Sequence, residues 1–230
     1  MPRASGSRPP TQPDFKVERQ HMLAGRARVV GIDEAGIGPW AGPVVAAAVC
    51  LDPLHLPIGV RDSKTLTAAR REDCFAAILR LAHVGVGVAD VARIDRDNVL
   101  RASQWAMAQA VAKLDFVPDL ALVDGKHAPK LSCSVAAMVD GDALILSIAA
   151  ASIVAKVTRD RIMVELSALH PGYGFDKHKG YGTAEHRAAI ARLGVIAAHR
   201  RSFRPIQEAI AAAMAETTGP PLTHGAAKLE

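Results

Sequence analysis

Cysteine is scarce in this sequence: Cys50, Cys74 and Cys133 are the only three in 230 residues, too few and too scattered to staple a fold. None belongs to a CxxC pair, so a disulfide framework and a zinc knuckle are both excluded, and a reducing cytoplasm is the expected setting. Long apolar runs are also missing. The longest uncharged stretch free of Gly and Pro, Ala143 to Ala155, has 13 residues and stops at Lys156, whereas a membrane span needs roughly 20. That stretch is expected to be a buried helix, and no membrane partner is expected. Residues 1–25, rich in Pro, Arg and Ser, lack the apolar segment of a secretory signal and are expected to be disordered, as is the Pro- and Gly-containing tail 217–230. No internal repeat is evident.

What is present suffices for a sizeable core. Half the residues are apolar, so residues 26–216 are expected to form one domain. The 28 Lys and Arg outnumber the 23 Asp and Glu, and a pI near 9.3 fits a polyanionic partner. The organising stretch is GIDEAGIGPWAGPVVAAAVC, Gly31 to Cys50. The apolar Val29, Val30 and Ile32 lead to two adjacent carboxylates, Asp33 and Glu34, after which Gly36, Gly38, Pro39, Gly42 and Pro43 break the chain. A plain solvated turn needs only one or two special backbone positions, and this one has five Gly or Pro within eight residues. Successive strand side chains point to opposite faces, so Asp33 and Glu34 are expected to share a site only if the backbone turns at once. Val44 to Leu51 reads as a buried strand returning from the turn.

Further along, a Pro-rich loop leads to Asp62, Ser63 and Lys64, and Thr67 caps a helix running to about Ala82. His83 to Asp90 alternates Val and Gly as a strand weakened by glycine. Arg96 to Leu114 has helical spacing, Leu120 to Val123 is a short strand closed by Asp124, and Ser134 to Val139 is another, closed by Asp140 to Asp142. A helix is expected from Asp142 to about Leu169, then a Gly- and Lys-rich stretch, a helix capped by Thr183 and a last helix over about Pro205 to Ala215. The order predicts a mixed α/β sheet, with the first two strands antiparallel and Leu120 to Val123 parallel to the first. If the strands ending at Asp33, Asp124 and Asp142 are mutually parallel, all three carboxylates emerge at one C-terminal edge, where open α/β sheets build their sites. The connection from Asp124 to Ser134 is too short for an ordinary helical crossover, which weighs against that pairing.

Clustered carboxylates repel one another and call for cations. Oxygen-only ligands suit Mg²⁺ or Mn²⁺ better than Zn²⁺, and two such ions about 4 Å apart would clamp the attacking water and leaving oxygen of a phosphodiester. The pattern therefore points to metal-assisted phosphoryl hydrolysis. Asp142 has a second reading as a helix N-cap. Asp160 is a rival acid, but on a continuous helix its 18-residue offset from Asp142 amounts to roughly 27 Å, and it reads as an ion-paired residue beside Arg159 or Arg161. The segment Asp176 to Arg204 has seven Lys and Arg against two acids, a net +5. Within it Lys177, His178, Lys179 and Tyr181 suit a loop against a sugar-phosphate backbone, and Lys64 is placed to meet a phosphate. Trp40 and Trp105 read as packing residues.

Six separated blocks, GIDEAGIGPWAGPVVAAAV, DSK at 62–64, VDG at 123–125, GD at 141–142, AASIVAKVTRDR and HPGYGFDKHKGYGT, together resemble the type 2 ribonucleases H, specifically bacterial ribonuclease HII, from about Val29 to Arg204. The resemblance implies an RNase H-like mixed five-stranded sheet flanked by helices, with a helical C-terminal extension at about 170–216. It implies hydrolysis of the RNA strand of RNA-DNA hybrids and nicking 5′ to single ribonucleotides embedded in duplex DNA, leaving 5′-phosphate and 3′-hydroxyl ends. Asp33, Glu34, Asp124 and Asp142 are the implied catalytic and metal-binding acids, holding two Mg²⁺ or Mn²⁺ ions with substrate. Tyr181 would stack on the sugar at the RNA-DNA junction, and the backbone of Gly36 to Gly38 would contact the ribose 2′-hydroxyl. Ser63, Lys64 and Lys179 complete the implied substrate contacts. One departure stands out: Ile37 occupies the middle of a turn that is usually Gly-Arg-Gly, so an Arg contact to a phosphate is lost and substrate binding weaker or more salt-sensitive than that of an Ile37→Arg variant is expected. A monomer is expected. The alternatives are another nuclease of the RNase H-like superfamily, or a hybrid-binding protein with weak or lost catalysis.

Overall fold

The strand expected ahead of the carboxylate pair is β1 (Val29–Ala35), the centre of the sheet in the computed structural model, which describes residues 12–217. The apolar run Val44–Leu51 is β2, antiparallel to β1. Ala47, Val49 and Leu51 pack on one side of β2, and Val44, Ala46, Ala48 and Cys50 on the other. Two covered faces explain why β2 is apolar throughout instead of alternating. β3 (Ala82–Ala89) adds antiparallel to β2. β4 (Leu120–Asp124) lies parallel to β1, and β5 (Ser134–Met138) parallel to β4. The order is β3-β2-β1-β4-β5, the mixed five-stranded sheet expected.

The β4–β5 return succeeds without a helix. Residues 125–133 can span about 30 Å when extended, and retracing a five-residue strand takes about 17 Å. A short extended loop therefore does what a helical crossover does elsewhere.

One face of the sheet is covered by α6 (Leu146–Leu169) with α2 (Ala68–Leu81), the other by α4 (Val99–Ala112). Thr67 caps α2 by accepting from the Arg70 N–H, as its position predicts. Two close approaches depend on missing side chains. A Cβ on Gly31 would overlap the backbone of Ser147 and Ile148 in α6, and Cβ atoms on Gly85 and Gly87 would overlap the Ala110 and Ala106 carbonyls of α4. The glycines of β3 thus form the seat of α4, a gain that offsets the strand weakening expected of them.

The structure revises the sequence reading in three places. Residues 1–25 are not all without structure: Lys16–Leu23 form α1, and Glu18 on it is fully buried; residues 1–11 lie outside the described residues. The helix expected over Arg96 to Leu114 is split into α3 (Val91–Asp97) and α4 by Asn98, whose positive φ of 67° ends one helix while its side chain caps the next through the Arg101 N–H. The helix expected from Asp142 is also split. α5 (Gly141–Leu144) is followed by Ile145 in an extended conformation, φ −116° and ψ 122°, and only then by α6.

Beyond α6, α7 (Phe175–His178), α8 (Ala184–Leu193) and α9 (Arg204–Thr217) pack around Phe175, Met163 and Ile206 as the expected helical extension. Thr183 caps α8 through the His186 N–H. Thr217 closes α9, so that much of the tail expected from residue 217 is helical, and 218–230 lie outside the described residues. No helix among the described residues is long and apolar enough to cross a membrane. Gly31→Ala is expected to lower stability by about 1–3 kcal/mol through overpacking between β1 and α6, measured by urea unfolding.

Candidate active site

The carboxylates collect because three parallel strands, β1, β4 and β5, deliver them to one edge. Asp33, Asp124 and Asp142 each offer an oxygen, and these lie within 4.8 Å of one another. Glu34 stands beside that triad and not within it. The expected sharp turn between Asp33 and Glu34 does not occur: β1 stays paired with β2 through Ala35, so the two side chains leave opposite faces. Asp33 turns inward toward α6, where the Ser152 hydroxyl works to lower its pKa and the Glu34 N–H donates to its Oδ1 at 2.7 Å. Asp124 Oδ1 accepts from the Gly141 N–H at 2.8 Å, tying the end of β4 to the turn that carries Asp142.

Burial first, then the charges of Glu34 and Asp124, push the Asp33 carboxyl well above its ordinary value. Burial and then Asp124 raise Glu34 to about 7. Burial and then Asp142 raise Asp124, against the hydrogen bond from the Gly141 N–H. Such a cluster favours any cation that replaces the missing counter-charge. Its donors are carboxylate oxygens with neither His nor Cys among them, which fits a hard divalent ion such as Mg²⁺ or Mn²⁺ and not Zn²⁺.

Asp142 is not a helix N-cap. Asp140 occupies that position in the left-handed conformation at φ 56°, and Asp142 sits in the single turn of α5 with its carboxylate 2.9 Å from Lys64 Nζ. Burial works against the Lys64 charge, but the hydrogen bond and charge of Asp142, with Asp62 and Asp33, hold its ammonium above the ordinary value. Ser63, expected to meet substrate, is instead 3% exposed and bonds Ser152 Oγ at 2.9 Å, so its hydroxyl stands behind Asp33. Asp160 is outside the cluster, and its partner is Lys156 at 2.6 Å, neither Arg159 nor Arg161.

Those two arginines and their neighbours have other work. Arg161 pairs with Glu72. Arg159 is buried and donates from Nε to the Pro43 carbonyl, from Nη1 to Lys179 and from Nη2 to Ala41. Arg200, equally buried, donates to the carbonyls of Gly36, Ile37, Gly42 and Pro43. Together they wire the Gly36 to Pro43 turn from within. Gly36 has φ +104°, and a Cβ there would overlap the Arg159 guanidinium, so two independent constraints require glycine. Burial and then Arg159 push the Arg200 guanidinium down to about 9. Arg200 therefore does not belong to the basic surface on which the sequence reading counted it.

Tyr181 is brought to the same turn. The Trp40 N–H donates to the Gly180 carbonyl at 2.8 Å, Gly182 lies flat on the Trp40 ring, and Tyr181 Cε1 is 3.7 Å from where a Gly38 Cβ would be. Tyr181 is about half exposed, and Ile37 is exposed as well. Lys179 adopts a left-handed conformation and its ammonium donates to the Asp176 carbonyl. Behind Tyr181 run three buried histidines whose tautomers the backbone decides. His199 Nδ1 accepts from the Ile196 N–H, so its Nε2–H donates to His186 Nε2 at 3.1 Å, and His186 Nδ1–H donates to the Tyr181 carbonyl at 2.9 Å. His178 stacks on His186 with ring centroids 4.5 Å apart. Burial first, then a neighbouring imidazole, lowers both: His186 in direction, His199 to about 4. The sequence reading missed Arg159, Arg200, Ser152, His186 and His199 as parts of the site; the only signal was that Ser152 and Arg159 fall in the block AASIVAKVTRDR, and nothing local marks His186, His199 or Arg200.

A ribonuclease HII family model matches residues 30–206. The chain belongs to the ribonuclease HII family. Endoribonuclease activity on the RNA of RNA-DNA hybrids, with dependence on divalent metal, goes with that membership. The chain is 58% identical over 193 residues to ribonuclease HII of Azorhizobium caulinodans, covering 84% of this chain and 74% of that protein. It is 52% identical over 208 residues to ribonuclease HII of Parvibaculum lavamentivorans, covering 90% and 77%. The crystal structure of ribonuclease H2 from Pyrococcus horikoshii OT3 superposes with a TM-score of 0.69 at 25% identity, over 80% of this chain and 98% of that one.

Arg200→Lys keeps the charge but offers one ammonium for four carbonyls; the expected cost is roughly 3 kcal/mol in urea unfolding. His199 is held neutral in the fold while the unfolded chain takes its proton near the ordinary value of 6.5. Its contribution to stability is thus fully present above that pH and is lost as pH falls toward about 4. The stability gap between wild type and His199→Phe is therefore expected to narrow over that window, a comparison in which the acid cluster cancels.

Proposed function

We propose that the chain cuts the RNA strand of hybrids and nicks duplex DNA 5′ to a single embedded ribonucleotide, with Asp33, Glu34, Asp124 and Asp142 as its catalytic and metal-holding acids. The observation that carries this is the triad of carboxylate oxygens within 4.8 Å, a costly arrangement that a pure binder of polyanions gains nothing from. Divalent ions, Mg²⁺ or Mn²⁺ and two with substrate present, supply Lewis-acid stabilisation of the charge that builds on the phosphodiester. Asp33, Asp124 and Asp142 hold them. Glu34, beside the triad on β1, completes the metal-holding set. Lys64, paired with Asp142, balances charge on one side of the cluster and is within reach of a phosphate.

Recognition of the ribonucleotide falls to the turn and the tyrosine. The Gly36 to Gly38 backbone meets the 2′-hydroxyl, the group that distinguishes RNA from DNA, and the Tyr181 ring stacks on the adjoining sugar, supported by its approach to Gly38. Lys179 lies on the path of the backbone phosphates. The chain acts as a monomer in the cytoplasm, consistent with three cysteines that form no disulfide.

A labelled duplex with one ribonucleotide, incubated with Mg²⁺, Mn²⁺ or EDTA, tests the reading. Wild type is expected to nick 5′ to the ribonucleotide only with metal, and Asp124→Asn to lose at least about a hundredfold in rate. Tight binding without nicking in either metal would instead identify a hybrid-binding protein with lost catalysis. Ile37→Arg is expected to bind hybrid more tightly at low salt and to steepen the dependence of log K on log salt by about 0.9 for one added phosphate contact; superimposable salt titrations would remove any role for this position.

A further inference from the structure

The N-terminal strap of residues 14–18 does more than cover the core. Its hydrogen bonds to distant parts of the chain land on Leu144, Leu146 and Ser147, just beyond Asp142. The Asp14 N–H donates to the Leu144 carbonyl at 3.2 Å, and the Asp14 carbonyl accepts from the Leu146 N–H at 3.0 Å, a parallel bridge across Ile145. One helical turn on, Glu18 Oε1 accepts from the Ser147 N–H at 2.7 Å. These bonds bracket Ile145, the one extended residue between α5 and α6. The sequence from Asp142 to Leu169 has the pattern of one unbroken helix, and the strap is what supplies the alternative partners at the break. Each residue of an α-helix turns about 100°, so whether residue 145 is helical or extended decides the direction in which Asp142 leaves the chain.

Glu18 is also an uncomfortable residue. It is fully buried, and neither its Oε2 nor the Ser147 hydroxyl has a hydrogen-bond partner among the described residues. A buried carboxylate served on one oxygen stabilises a fold less than an apolar side chain of similar size would. What it does deliver is a fixed direction: an acceptor aimed at the first amides of α6, where the helix dipole favours negative charge.

We propose that Glu18 is a positioning residue for Asp142, acting through the 144–147 segment to set where the third carboxylate of the triad stands. The proposal rests on the metal-binding reading of that triad. The test uses the full chain without nucleic acid. Binding of Mn²⁺ is followed by the electron paramagnetic resonance signal of the free ion, and amide exchange is followed over residues 141–147. Glu18→Ala is expected to raise the Mn²⁺ dissociation constant about tenfold, the usual scale for groups that orient ligands, and to speed exchange at 145–147. Glu18→Gln, whose amide oxygen still accepts from Ser147, is expected to stay within about twofold of wild type. If Glu18→Ala fails to fold, Glu18→Asp, one methylene short of Ser147, takes the same expectation. Unchanged Mn²⁺ affinity in the folded Ala or Asp variant overturns the strap. Absence of Mn²⁺ binding in every protein, wild type included, overturns instead the metal reading on which the strap depends.

Discussion

Mutual repulsion among carboxylates is the constraint that the rest of this structure answers. Asp33, Asp124 and Asp142 stand together at one sheet edge, with Glu34 beside them, and burial sharpens the conflict. Little of what holds them there is charged. Parallel pairing of β1, β4 and β5 provides the common edge, the left-handed turn at Asp140 and the extended Ile145 bring in Asp142, and backbone N–H groups of Glu34 and Gly141 satisfy individual oxygens. Lys64 is the ammonium in direct contact with the cluster, and a mobile surface lysine is easily exchanged for a better counter-charge.

Positive charge is managed by a different device. Arg159 and Arg200 are buried with carbonyl oxygens as acceptors, and their planar forks fix a glycine-rich turn that has little regular structure of its own. Burial keeps His186 and His199 neutral, so each of their ring nitrogens has one role, donor or acceptor, and the chain from Ile196 to Tyr181 has a single sense. The C-terminal helices thereby hold the Gly36 to Pro43 turn and Tyr181 from behind. A basic segment that reads as surface is, at its most important residue, core.

Much of this was legible in the residues. Apolar runs ending in acids gave the strands and their common edge, and the Thr67 and Thr183 caps fixed two helix starts. What local pattern missed came from partners distant in sequence. Nothing near Ile145 says that Asp14 will pair across it, and nothing near Glu18 says that Ser147 awaits it. The expected turn at Asp33 failed because pairing with β2 outweighed a local glycine preference that begins only at Gly36. The short β4–β5 connection, which argued against a parallel return, yielded to simple chain length. Arg200 was misjudged because charge in a basic stretch is normally solvated, and only the carbonyls of a turn far upstream make its burial tolerable.

The hydrogen bonds from Arg200 to the Gly36 turn join residues 164 positions apart. A chain growing from its N-terminus makes the acids and most of the sheet long before it makes the arginine that finishes the turn. At about 5–20 residues per second, roughly three to twelve seconds separate Asp142, the last of the acids, from Arg200. Throughout that interval a nascent chain has its carboxylates but lacks the support that shapes the turn beside them, so competence to engage nucleic acid arrives late in synthesis.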